Sequence, residues 1–267
     1  MDERELDELL AAVTDNAKYR AIDPDLIRAV GRRELAARRN FKEAVKATRN
    51  KLHQVAGAYL DGRPDYASWV RRLNEAQAEG EAALRAACLD VMRGHASTRE
   101  RLPILDRFFA TTLAGLPPVE SVLDVACGLG PLARAWMPLA PGARYYACDL
   151  YADMMAFLGE FFALAGIPGE AFVCDLVARP PEQEVDLALV LKVLPPLEQI
   201  DKAAGLRLLR GLRARHLLVS FPAQTLGGRH KAMAAFYEQH FRSLIAGEGW
   251  SVERFIFPSE LAFLVRK

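Results

Sequence analysis

The chain has 267 residues, 51% of them apolar and 26% charged, with a formal net charge of +1. This balance excludes wholesale disorder and a polycationic protein, and the length allows one large domain or two small ones. No apolar run reaches membrane-spanning length and Met1-Asp2-Glu3-Arg4-Glu5 has no signal-peptide character, so a cytoplasmic protein with no membrane partner is expected. Cys88, Cys127, Cys148 and Cys174 form no C-x-x-C pair and have no metal-ligand spacing. They are expected to be small buried thiols, with no metal site and no iron–sulfur chemistry.

Residues 1–95 show helical periodicity without strand-like alternation. Leu6, Leu9, Leu10 and Val13 recur at helical spacing, and Asp23-Pro24 reads as an N-cap followed by proline at the first helical position. Asn40 is expected to cap the next helix, with Phe41, Val45, Thr48, Leu52 and Val55 on one face and Lys42, Lys46 and Arg49 on another. Residues 28–51 hold nine basic residues (Arg28, Arg32, Arg33, Arg38, Arg39, Lys42, Lys46, Arg49, Lys51) against Glu34 and Glu43. That excess makes a candidate phosphate-binding face; the plain alternative is a solvated helix surface.

Gly62-Arg63-Pro64 marks a turn, and helices are expected around 67–79 and 81–93, separated by Gly80 and stopped by Gly94. Ser97 with Glu100 fits a capping box, and Pro103 either bends the helix that follows or begins it. Leu102, Leu105, Phe108, Phe109 and Leu113 would pack below the coming sheet, and Pro117-Pro118 closes this part. Counting this helix with the half that follows divides the chain into a helical domain, 1–95, and an α/β domain, 96–267.

From Glu120 onward, short apolar runs alternate with helical segments. Strands are expected near 121–125, 144–149, 171–174, 185–191, 216–221, 251–257 and 260–266. Helices would fill the gaps between the first six, and Pro258-Ser259 would turn the last two into a hairpin. Five parallel strands closed by an antiparallel hairpin is the Rossmann-like, seven-stranded α/β layout of S-adenosylmethionine (SAM)-dependent methyltransferases.

In such a sheet the ligand lies across the carboxyl ends of the strands. The first strand runs into Asp124-Val125-Ala126-Cys127-Gly128-Leu129-Gly130-Pro131, a glycine turn from which Pro131 can start a helix. Its usual methyltransferase form has glycine where Ala126 stands. Asp124 is read as a hydrogen-bond acceptor for the methionine part of SAM, Asp149 for the ribose hydroxyls, and Asp175 for the adenine amine, with Leu176 packed on the ring. A full G-x-G-x-x-G is missing, which speaks against a dinucleotide. The fourth strand ends Leu191-Lys192-Val193-Leu194-Pro195-Pro196. Lys192 can only donate hydrogen bonds, so a ring nitrogen with a free lone pair fits better than an exocyclic amine. Catalysis would then be mostly placement, with Lys192 positioning the substrate and no general base.

The segments His95–Leu102, Asp124–Pro131, Leu191–Pro195 and Val219-Ser220-Phe221-Pro222-Ala223-Gln224-Thr225-Leu226-Gly227-Gly228-Arg229 together resemble the aminoglycoside-resistance 16S rRNA (guanine(1405)-N(7))-methyltransferases. The resemblance runs from about Lys18 to the C-terminus and includes Lys51-Leu52-His53 and Gly57-Ala58-Tyr59. It implies SAM-dependent methylation of a guanine N7 in the decoding A site of the assembled 30S subunit, and resistance to kanamycin- and gentamicin-type drugs. The SAM contacts it implies are Tyr59, His95, Ala96, Ser97, Arg101, Ala126, Gly128, Asp149, Asp175, Leu176, Leu191 and Val193, with Arg101 on the SAM carboxylate. The rRNA contacts it implies are Arg38, Lys42, Lys46, Arg49, Lys51 and Arg229. A monomer without a DNA partner is expected. Gly130 stands where some relatives carry Asn. Phe236-Tyr237 would either stack on the flipped base or pack in the core, and His216, His230 and His240 receive no role.

Two other readings compete with this one. A small-molecule methyltransferase would have no use for the basic run, and a non-catalytic rRNA-binding factor would have no reason to align Asp124, Asp149 and Asp175.

Overall fold

The strands are near-continuous apolar runs because helices cover both faces of the sheet. In the computed structural model, which describes residues 3–16, 19–53, 64–223 and 230–267, these are β1 (Ser121–Val125), β2 (Arg144–Asp149), β3 (Gly169–Val173), β4 (Glu184–Leu191), β5 (Arg213–Pro222), β6 (Ser251–Ile256) and β7 (Glu260–Arg266). They form one sheet in the order β3-β2-β1-β4-β5-β7-β6, parallel except where β7 runs antiparallel to β5 and β6. The strand order reverses between β1 and β4, which puts a crevice beyond the carboxyl ends of β1, β2 and β4.

The connections depart from expectation in two places. The segment after the β1 turn is a 3-10 helix, Gly130–Trp136, because Pro131 opens it and Pro138 prevents it from propagating. Between β3 and β4 there is no helix at all: residues 174–183 form only a turn, and Pro180-Pro181 leaves a helix no room. The remaining crossovers are helical, with α8 (Ala152–Leu164) after β2, α9 (Leu194–Ile200) and α10 (Ala204–Gly211) after β4, and α11 (His230–Leu244) after β5.

In the helical half, α1 (Glu3–Thr14), α2 (Pro24–Ala37) and α3 (Phe41–Leu52) are followed by α4 (Tyr66–Glu79) and α5 (Glu81–Met92). Asp23 caps α2 by accepting from the Asp25 and Leu26 N–H groups, and Asn40 caps α3 by accepting from Glu43. The expected Ser97–Glu100 capping box does not form. His95 stands at the N-cap of α6 (Ala96–Arg101), and the Thr98 hydroxyl holds the turn by donating to the Met92 and His95 carbonyls at 2.6 and 3.0 Å. Pro103 bends the chain through a 3-10 turn, Leu102–Ile104, into α7 (Leu105–Thr112).

One hydrophobic core runs from Leu9 and Ile27 in the helical half through Phe108 and Tyr145 to Leu187 under the sheet, and a second lies on the other face around Phe221, Phe241 and Phe263. The two halves are also joined by backbone. Ile22 forms an antiparallel bridge with Tyr151, Asp23 N–H donates to Leu150 O, and Ala152 N–H donates to Ala21 O, both at 3.1 Å. No described helix is long and apolar enough to cross a membrane.

A candidate cofactor cleft beside a basic face

Strand ends in this sheet carry the polar groups, because backbone pairing stops there and side chains can reach into the crevice. The cleft has about 750 Å³ of open space, solvent at its mouth included. His95, Ser97, Ala126, Asp149, Asp175, Leu176, Leu191, Lys192 and Val193 all line it. Leu26 from α2 and Tyr151 and Met154 at the start of α8 supply apolar walls that carry no motif in the sequence.

Asp149 sits between two backbone donors, accepting from Gly128 N–H at 2.9 Å and Leu150 N–H at 2.6 Å. Burial raises its pKa, and those two amides pull it back down. Asp175 accepts from Val177 N–H at 2.8 Å. Burial raises this acid as well and the backbone donors oppose that; the charge of Asp23 raises it further and that of Arg33 on α2 lowers it. Helix α2 and its cap therefore bring charges of both signs within electrostatic reach of the cleft.

Among the described residues, two non-glycines take left-handed backbone conformations, Ala126 at φ +47° and Lys192 at φ +62°. They lie just past β1 and β4, on either side of the switch in strand order, where such strain gathers at functional sites. Gly128, at φ +51°, is needed twice over, because a Cβ there would stand 2.6 Å from the His95 ring. At Gly130 a Cβ would lie 2.7 Å from Asp124 Oδ2, so a larger residue there requires that carboxylate to shift.

Several expected site residues lie elsewhere. Asp124 does not line the cleft; it is 2% exposed beneath the loop and accepts from the Tyr145 hydroxyl at 3.0 Å. Burial pushes its carboxyl up to about 7, against the pull of Tyr145 and Arg101. Only two of the three acids thus face the ligand space. Gly128 acts on the cleft through its amide on Asp149, and neither it nor Ala96 is part of the lining. Arg101, expected on the SAM carboxylate, is not part of the cleft lining and enters a buried ion pair. The Arg101 Nε and Nη2 groups both donate to Glu260, at 2.8 Å for the shortest contact, with exposures of 2% and 0%. Ser220 donates to the same carboxylate at 2.5 Å. Lys192 Nζ lies 2.7 Å from Glu100 and 3.7 Å from Glu260. Burial alone would raise Glu260; Arg101 and Lys192 outweigh it and hold the carboxyl below its usual range. Neither acid is a site candidate in the sequence, where Glu100 serves only a capping box and Glu260 only opens the last strand, although an acid at the head of the otherwise apolar run Glu260–Val265 is a usable sign. Cys174 is half-exposed at the cleft, whereas Cys88, Cys127 and Cys148 are buried as expected. No described cluster of His, Cys, Asp or Glu could hold a metal.

The basic run separates into two groups. Arg38 and Lys51 both bind the buried Glu34, at 2.8 and 2.6 Å, Arg28 pairs with Asp7, and Arg32 pairs with Glu3. Arg49 donates to the Ala12 carbonyl. Arg33, Arg39, Lys42 and Lys46 remain, exposed and without an ion-pair partner among the described residues. Arg38, Arg49 and Lys51, expected on rRNA, therefore work first inside the fold. Tyr59 and Arg229 lie outside the described residues. Tyr237 turns inward and stacks on Phe221 at 5.0 Å, while Phe236 is exposed.

A family model described as "Ribosomal RNA methyltransferase (FmrO)" matches residues 15–264. The chain belongs to this family. It is 38% identical to the 16S rRNA (guanine(1405)-N(7))-methyltransferase of Frankia casuarinae, over 99% of this chain and 95% of the relative. The enzyme of the same name from Micromonospora echinospora is 33% identical, over 99% and 98%. Among solved structures, the 16S rRNA methyltransferase RmtF in complex with S-adenosyl-L-homocysteine superposes with a TM-score of 0.85 at 34% identity, covering 100% of this chain and 99% of that one. The 16S rRNA methylase RmtB superposes at 0.80 with 26% identity, covering 98% of each. Membership explains both the crevice at the switch point and the helices placed beside it.

Proposed function

We propose that this protein transfers a methyl group from SAM to N7 of the decoding-site guanine of 16S rRNA in the assembled 30S subunit, and so confers resistance to kanamycin- and gentamicin-type aminoglycosides. The observation that carries this reading is the pair Asp149 and Asp175 at neighbouring strand ends, facing one cleft whose far wall ends in Lys192. Asp149 accepts the ribose hydroxyls with the lone pairs its two amides leave open, and Asp175 accepts from the adenine amine beside Leu176. His95, Ser97 and Ala126 border the methionine end. When bound, SAM supplies a methyl group activated by its sulfonium.

Lys192 positions the substrate. Its ammonium has three protons, of which Glu100 takes one at 2.7 Å; a donor is left for guanine or phosphate, and none of its atoms can accept an amine proton. A ring nitrogen with a lone pair needs no base, so orientation supplies the rate. Residues 1–95 grip rRNA through Arg33, Arg39, Lys42 and Lys46. The protein acts as a monomer in the cytoplasm, without membrane or DNA partners.

The test incubates the protein with labelled SAM and purified 30S subunits, then maps N7-methylguanine by reduction and aniline cleavage. One cleavage in the decoding site is expected. Unlabelled subunits, with label instead on a small metabolite, would overturn the reading.

A further inference from the structure

Phe236 on α11 is a large apolar side chain left 64% exposed. Its ring lies parallel to that of His240, the planes 7° apart and the centroids 6.3 Å apart. His240 is held in turn by Glu198 on α9, Nε2 to Oε2 at 2.7 Å. With Pro195 and Lys202 these residues line a groove between α9 and α11. Lys202 has no ion-pair partner among the described residues.

The position of the groove matters as much as its chemistry. Helix α9 is only seven residues long. It presents Pro195 and Glu198 to the groove, and Pro196 and Leu197 to the cofactor cleft. The two spaces are therefore separated by one helix, about 10–12 Å across. An open aromatic face, a second ring held parallel to it and an uncommitted ammonium together make a platform for a nucleobase and its phosphate.

We propose that this groove seats an unpaired base of the small-subunit rRNA neighbouring the target guanine, stacked on Phe236 with its phosphate near Lys202. The proposal rests on the reading of the protein as an rRNA methyltransferase. The test compares wild type, Phe236→Ala and Phe236→Trp in 30S methylation, SAM binding by calorimetry and thermal stability. Phe236→Ala is expected to lower kcat/KM for subunits by about tenfold or more, the range that removing one base–aromatic stack produces. SAM affinity and Tm should not change, and Phe236→Trp should restore the rate. An active wild type with an equally active Phe236→Ala variant overturns the groove reading alone, whereas an inert wild type removes both readings. Photocrosslinking from p-benzoylphenylalanine placed at position 236 adds a second arm. Attachment to 16S rRNA supports the proposal, and attachment to a ribosomal protein overturns it.

Discussion

Asp149 and Asp124 are both acids at strand ends, yet their surroundings give them opposite duties. Asp149 faces the cleft between two amide donors, so Asp149→Ala should abolish SAM binding in calorimetry while leaving the fold intact. Asp124 faces the interior, and its raised pKa of about 7 makes it a liability once ionised. The folded state holds this proton more tightly than the unfolded chain does, so stability falls as pH rises from about 4 and the loss is complete above about 7. At about 1.4 kcal/mol per pKa unit the penalty reaches a few kcal/mol. Asp124→Asn, which can still accept from Tyr145, should flatten the drop in Tm between pH 5 and pH 8. An unchanged drop would mean that another group carries it. Glu260 has the opposite sign: its lowered pKa contributes stability that is lost only as pH falls through the acid range.

At the scale of elements, α2 and α3 divide their cations between those paired inside the fold and the exposed ones proposed for recognition. Lys42→Glu with Lys46→Glu should spare SAM binding and strongly weaken binding to subunits. It should also lower the slope of log affinity against log salt by about 0.7–0.9 for each phosphate that is no longer neutralised. Arg38→Ala should act mainly on stability, because it uncovers the buried Glu34. If the double reversal left both binding and salt slope unchanged, the exposed face would be only solvated surface. The strands were legible in the sequence because buried parallel strands read as apolar runs ending in Asp149 or Lys192. The turn after β3 and the 3-10 helix after β1 were not: a helical connection was assumed where Pro138 and Pro180-Pro181 forbid one. Likewise, spacing showed that Lys42, Lys46 and Arg49 share a helix, but only the fold shows that Arg49 points at the Ala12 carbonyl.

Across the whole molecule, the ion pair between Arg101 and Glu260 ties α6 to the last strand. Their separation of 159 residues is why sequence patterning gave no sign of the pair, and Arg101 drew only the ligand role implied by the resemblance. Arg101→Met strands a buried carboxylate and should cost about 3–5 kcal/mol in denaturant unfolding. Arg101→Met with Glu260→Met should recover much of that loss, since Lys192 keeps Glu100. Failure of the double variant to recover would show that the pair is needed for more than mutual neutralisation.

The bridge between Ile22 and Tyr151 also bears on how the chain is made. The helices proposed to hold rRNA leave the synthesising ribosome well before the segment that anchors them. At about 5–20 residues per second, α2 waits on the order of ten seconds for its seat on the β2–α8 loop. Throughout that interval Leu26 lacks Tyr151 and Met154, with which it later walls the cleft, and the basic face is tethered beside ribosomal RNA. The nascent N-terminal half is thus held close to the kind of surface it is proposed to recognise, before it has any cleft with which to modify it.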